Sequence, residues 1–121
     1  LLKAVGEVAW VEQEDLLDAV TAVSGGGPAY VFLLAESLAA AGVASGLPKD
    51  LAERLARVTV AGSGELLHQS PEPPSTLRKN VTSPAGTTER ALNVLMGPDG
   101  WQTLLDKAIA AATARSKELS G

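Results

Sequence analysis

The 121-residue sequence contains no cysteine, and this absence removes two kinds of chemistry. Without thiols the chain has neither a disulfide framework nor a thiolate nucleophile. His68 is the single histidine, so a histidine-rich metal site is excluded as well and we expect no bound metal. Both observations are compatible with a reducing cytoplasm, which is where we expect the protein to act.

Aromatic residues and basic runs are also scarce. Aromatic side chains make up only 3% of the chain, whereas hydrophobic residues make up 45% and are dominated by alanine and leucine. This composition favours closely packed helices over a sheet, which needs β-branched and aromatic side chains, so it predicts a mainly α-helical protein. The formal net charge of −4, with no basic run, argues against nucleic acid or an anionic membrane surface as the main partner.

The first twelve residues read as a short strand rather than a helix. Within them, Val8 and Trp10 alternate with Ala9 and Val11, which is the period of a strand. A lone strand with open edges needs a pairing partner. The strand within residues 1–12 therefore either pairs with another chain or belongs to a sheet in a missing domain, and we expect the chain to be a piece of a longer protein.

The helix predicted over residues 29–44 is apolar on almost every side, and Gly46 and Pro48 mark its end and the start of the next helix. A helix without a polar face is normally buried all round. A membrane span would need about 20 apolar residues, and Glu36 and Ser37 interrupt this stretch. In a domain this small, such a helix predicts that a second chain covers it. In the next helix, Gly62 and Gly64 suggest close helix contacts.

Three consecutive glycines, Gly25 to Gly27, precede Pro28 and predict a tight turn between two helices. A glycine-rich loop could also hold a phosphate group. However, no lysine follows as in a Walker loop, and Tyr30 stands in the place of the third glycine of the dinucleotide fingerprint. The glycine run alone therefore does not predict nucleotide binding.

The stretch VTSPAGTT at residues 81–88 holds the candidate binding site. Ser83 followed by Pro84 is typical of a helix start, with the serine as cap and the proline at the first helical position. Unpaired N–H groups and the helix dipole at such a start favour a small anion such as a carboxylate, and Thr87 and Thr88 add hydroxyl groups. An ordinary capped helix with nothing bound has the same pattern, so these residues alone leave both interpretations open.

Three stretches, in order along the chain, resemble the C-terminal part of pyrroline-5-carboxylate reductase. They are DAVTAVSGGGPAY at residues 18–30, AGV with GLP within residues 41–48, and VTSPAGTT at residues 81–88. The resemblance implies an all-α domain, of the type found at the C-terminus of 6-phosphogluconate-dehydrogenase-like enzymes, that interlocks with a second copy. It implies that this helical domain covers residues 13–121 and that residues 1–12 are the end of a preceding dinucleotide-binding domain. It also implies reduction of the imino acid 1-pyrroline-5-carboxylate to L-proline by NADPH or NADH, in a homodimer or a larger assembly of dimers.

The resemblance further implies a substrate loop whose N–H and hydroxyl groups hold the carboxylate and the ring nitrogen. Its residues here are Val81, Ser83, Gly86, Thr87 and Thr88. Thr88 is the implied catalytic residue, because it would form the hydrogen bond to the ring nitrogen. Ser24 and Gly25, with Thr21 as a weaker candidate, would lie near the nicotinamide of a cofactor bound mainly by the preceding domain.

Two positions depart from the family's usual residues. Gly26 stands where the family commonly has serine, so a hydroxyl group is missing there, and Ala85 stands where the family commonly has glycine. We expect Ala85 to have a negative φ at a helix start, where alanine is acceptable. Two other interpretations stay open: a helical oligomerisation module without catalytic function, and the helical domain of a different dehydrogenase with a Rossmann domain.

Overall fold

The computed structural model describes residues 14–121, and within that range the chain is helical, without strands. The helices are α1 (Glu14–Val20), α2 (Gly27–Ala44), α3 (Lys49–Gln69), α4 (Pro74–Asn80), α5 (Thr87–Leu95) and α6 (Trp101–Ser120), with a π-helical turn at Thr21–Gly25. The predicted all-α class is therefore confirmed. The strand predicted within residues 1–12 lies outside the described residues.

These elements form two compact units. The first contains residues 14–28 and Ser83–Gly121, and the second is Ala29–Thr82. In the first unit, α1, the π-helical turn and α6 pack on one another. The hydroxyl of Ser116 on α6 donates a hydrogen bond of 2.7 Å to Oδ1 of the buried Asp18 on α1. This bond gives the buried carboxylate a partner and ties the two helices together.

The glycine run is more helical than the sequence predicts. The N–H of Gly26 donates to the carbonyl of Thr21 at 3.2 Å, which extends the π-helical turn, and α2 begins at the next residue. Gly26 keeps right-handed helical angles, with φ −85° and ψ −12°. The predicted tight turn is therefore wrong: the wide π-helical turn and a single bend residue join α1 to α2. Packing of this turn on α6 offsets the low helix propensity of glycine.

In the second unit, α2 ends in a glycine cap. Gly46 has a φ of 107°, and its N–H donates to the carbonyl of Val43 at 2.9 Å. The N–H of Leu47 donates to the carbonyl of Gly42 at 3.0 Å. This pair of bonds is the Schellman arrangement, which favours glycine because other residues rarely adopt a positive φ. The prediction that Gly46 ends this helix is confirmed.

The close contact between α2 and α3 lies at Gly42. A Cβ atom built on Gly42 would be 3.2 Å from Cδ1 of Leu47 and 3.3 Å from Cβ of the buried Ala52. Gly62 and Gly64 were the positions expected to make such contacts. Within the described residues, nothing lies within 4 Å of a Cβ built at either of them. The close approach of these two helices near their connection therefore depends on Gly42.

We expect Gly42→Ala to lower the free energy of unfolding by up to about 2 kcal/mol, because the cost of displacing Leu47 or Ala52 exceeds the gain in helix propensity. Gly64→Ala is the matched control. It makes the same change in a helix with open space around it, so we expect a gain of up to about 1 kcal/mol from helix propensity alone. Urea unfolding of both variants measures the difference. Stabilisation by both substitutions would contradict the close contact at Gly42.

Most large apolar side chains of the described residues are exposed. The buried apolar residues are Ala22, Ala52 and Ala56. By contrast, Phe32 on α2 is 69% exposed and Leu104 on α6 is 65% exposed. Soluble proteins rarely leave large contiguous apolar patches open unless a partner covers them, so the number of exposed large apolar side chains in each unit indicates cover by a partner. The helix that the sequence predicts to lack a solvent face thus has no buried residue among the described part of the chain.

Candidate functional site

The segment before α5 is a turn and not the first turn of a helix. The N–H of Gly86 donates to the carbonyl of Ser83 at 3.1 Å, so Pro84 and Ala85 are the central residues of a four-residue turn. Ala85 has a φ of 60°. Proline at the second position and a positive φ at the third are the signature of a type II turn. Gly86 then becomes the N-cap of α5, which begins at Thr87.

Two predictions for this segment are wrong. Ser83 does not cap the helix, because the cap position lies three residues later and no side chain bonds to the start of α5. Ala85 does not have a negative φ, because the third position of this turn requires the left-handed region that glycine favours. The fixed φ of Pro84 suits the second position of a turn as well as the first position of a helix.

The start of α5 carries unpaired hydrogen-bond donors. Within residues 14–121, the backbone N–H groups of Thr87, Thr88 and Glu89 have no acceptor, and that of Arg90 reaches the carbonyl of Gly86 at 3.4 Å. The hydroxyls of both threonines, which are exposed, also lack a partner among these residues. Free N–H groups and the helix dipole together attract anions. The segment therefore offers the donors that a carboxylate needs.

Charge near this helix start is balanced. Glu89 is half-buried in the first turn and the exposed Arg90 follows it. Among the described residues, the ion pairs lie elsewhere, on α3 and α6. Any preference for an anion at this position therefore comes mainly from the backbone N–H groups and the threonine hydroxyls.

Val81 lies at the end of α4, in the second unit. Its side chain is 68% exposed, but its N–H donates to the carbonyl of Arg78 at 3.3 Å. The hydroxyl of Thr82 donates to the same carbonyl at 2.6 Å. The backbone N–H of Val81 is therefore already committed within the chain, which leaves its side chain and its carbonyl group for contact with a ligand.

Ser24 and Gly25 lie in the π-helical turn, as does Thr21. The hydroxyl of Ser24 donates to the carbonyl of Val20 at 3.1 Å. Among the described residues, no hydrogen bond joins this turn to the segment Ser83–Thr88. The structure thus gathers Ser83, Gly86, Thr87 and Thr88 around one helix start and does not link them to the π-helical turn. Because π-helical turns often occur at functional sites, this turn stays a candidate part of the binding site for that reason alone.

The fold is a helical domain whose large apolar side chains are mostly exposed among the described residues. Over residues 14–119 the sequence matches the family described as pyrroline-5-carboxylate reductase dimerisation. The chain belongs to the pyrroline-5-carboxylate reductase family.

Individual relatives agree with this assignment. The chain is 44% identical to pyrroline-5-carboxylate reductase of Pseudomonas aeruginosa, over 99% of the chain and 44% of that protein. It is 43% identical to the Glycine max enzyme, over 99% of the chain and 43% of that protein. The chain spans less than half the length of these curated relatives.

Two solved structures share the fold. A pyrroline-5-carboxylate reductase from Coxiella burnetii matches with a TM-score of 0.83 and 42% identity, over 90% of this chain and 40% of that one. The Plasmodium falciparum pyrroline carboxylate reductase, whose crystal structure has NADP bound, matches with a TM-score of 0.81 and 38% identity, over 90% of this chain and 41% of that one.

Proposed function

We propose that the chain is the dimerisation and substrate-binding part of a pyrroline-5-carboxylate reductase, which makes L-proline from 1-pyrroline-5-carboxylate with NADPH or NADH in proline biosynthesis. Family membership over nearly the whole chain supports this activity. The observation that carries the substrate-binding role is the exposed segment Ser83–Thr88, whose helix start has unpaired N–H and hydroxyl donors.

The substrate has a carboxylate and a cyclic C=N bond, and each would meet a different donor. The backbone N–H groups of Thr87 and Thr88 would hold the carboxylate by charge-assisted hydrogen bonds, which are stronger than neutral ones. The hydroxyl of Thr88 would donate to the ring nitrogen. A hydrogen bond there draws electron density away from the imine carbon and orients the ring, so the carbon accepts a hydride more readily.

Reduction adds a hydride to the imine carbon, moves the electron pair of the C=N π bond onto nitrogen, and adds one proton from solvent to that nitrogen. A bound NADPH or NADH would supply the hydride and be oxidised in return. Within residues 14–121, the glycine run continues as π-helix and α-helix and forms no open loop for phosphate. We therefore assign no phosphate contact to this run, and we keep Ser24 and Gly25 as proposed contacts to the nicotinamide ring alone.

We also propose that a second copy of the chain covers the exposed faces of α2 and α6, giving a homodimer or an assembly of dimers in the cytoplasm. By length and composition alone, the helical stretch Leu16–Ala44 could also cross a membrane. The match to a dimerisation family favours a protein partner over lipid for this surface. The apolar stretch then serves as an interface between subunits.

Titration calorimetry with L-proline, the expected product, tests the substrate-binding role. We expect saturable binding with one proline per chain, and weaker binding of acetate, which has the carboxylate without the ring. The complete enzyme that carries this chain should oxidise NADPH or NADH when 1-pyrroline-5-carboxylate is added. A dimer without binding or turnover would instead identify an oligomerisation module, and turnover of another imine or a keto acid would identify a different dehydrogenase.

A further inference from the structure

Ala85 is the one non-glycine residue in the described part of the chain with a positive φ, at 60°. In this left-handed region the Cβ atom comes too close to the following carbonyl oxygen, so alanine is strained where glycine is not. The side chain of Ala85 is exposed. Packing of its methyl group therefore does not explain why the strained conformation is kept.

A turn without this strain is available to the same residues. A type I turn keeps Pro84 at the second position and keeps the hydrogen bond from Gly86 to Ser83, but it gives the third residue a negative φ. The two turn types differ by rotation of the peptide group between Pro84 and Ala85. The protein thus holds this peptide group in the orientation that alanine disfavours.

We propose that the left-handed conformation at Ala85 is a requirement of the substrate site and that Ala85 is a positioning residue. Rotating the Pro84–Ala85 peptide would exchange the directions of its N–H and its carbonyl oxygen, and a carbonyl oxygen repels a carboxylate. Strained backbone of this kind is concentrated at ligand-binding sites. The inference rests on the proposed function, because it takes the segment Ser83–Thr88 as the place where the imino acid binds.

Two substitutions of similar size separate conformation from bulk. Asparagine tolerates a positive φ, whereas β-branched valine does not. In the complete enzyme, we expect Ala85→Val to raise the KM for 1-pyrroline-5-carboxylate by about tenfold or more, with a much smaller change in kcat, because the turn relaxes to type I. Ala85→Asn is the conservative variant that keeps the conformation, so its KM should stay within about twofold of the wild-type value.

Ala85→Gly tests the strain itself and does not depend on whether the valine variant folds. Glycine at this position should raise the unfolding temperature, whereas Ala91→Gly, the same change on the exposed face of α5, should lower it. An unchanged or lower unfolding temperature for Ala85→Gly would overturn the inference.

The KM values of the valine and asparagine variants provide a second test of the inference. Equal KM values for the asparagine and valine variants would also overturn the inference, because the KM would then not depend on whether the residue tolerates a positive φ. Wild-type enzyme that does not reduce the imine would refute the proposed function instead, and the unfolding comparison would still report on the strain at Ala85.

Discussion

Phe32→Asp is expected to convert the proposed dimer into monomers, with the dissociation constant raised by about a thousandfold or more. Phe32 is 69% exposed in the single chain and lines a groove of about 1200 Å³ between α2 and α3. Covering this position with a second copy buries an aromatic ring in the wild type and an unpaired carboxylate in the variant. The lost apolar burial and the cost of desolvating the charge together exceed about 4 kcal/mol, which corresponds to a thousandfold.

Phe32→Leu is the control, because it keeps an apolar side chain at the same position and should keep the dimer. Sedimentation velocity over a dilution series measures both variants beside the wild type. A Phe32→Asp protein that stays dimeric over the same concentration range as the wild type would place Phe32 outside the interface.

Thr88→Val is expected to lower kcat/KM of the complete enzyme for 1-pyrroline-5-carboxylate by about 10- to 100-fold. Valine has the shape of threonine without the hydroxyl, and it leaves the backbone N–H in place. As the hydride adds, the ring nitrogen gains negative charge, and a hydrogen bond to a charged group contributes about 1.5–3 kcal/mol, which corresponds to the expected loss. Because Thr88 is exposed and valine has a similar helix propensity, the fold should be retained.

Thr103→Val makes the same chemical change where the hydroxyl has a structural role. The Thr103 hydroxyl donates to the carbonyl of Pro98 at 2.6 Å, near the start of α6. We expect this variant to lose about 1 kcal/mol of stability and to keep its kinetics. Steady-state kinetics and thermal unfolding of both variants show whether each hydroxyl acts in the reaction or in stability. Wild-type kinetics in Thr88→Val would remove Thr88 from the reaction.

The helical architecture could be predicted because its signals are local. The cap at Gly46 needs only a residue that tolerates a positive φ, and the apolar stripe of α6 repeats at helical spacing. The absence of a polar face on α2 likewise predicted that a second chain covers this helix, and among the described residues Phe32 is 69% exposed. Each of these features depends on residue type and spacing, which the sequence carries directly.

The geometry of the candidate site could be predicted only in part. Serine followed by proline suits both a helix start and a turn, so the local pattern did not decide between them. The φ of Ala85 could not be inferred from residue type, because alanine prefers negative values and the surrounding structure imposes the exception. The π-helical turn packs against α6, and such a contact between distant parts of the chain cannot be predicted from the helix propensity of glycine.

The mass of the chain in detergent-free solution tests the dimer assignment most directly. Light scattering at micromolar concentration should give twice the 12.4 kDa of one chain, or an even multiple of that mass, because we propose that a second copy covers the apolar faces of α2 and α6. A folded, stable monomer of 12.4 kDa would contradict the assignment of these faces to a subunit interface.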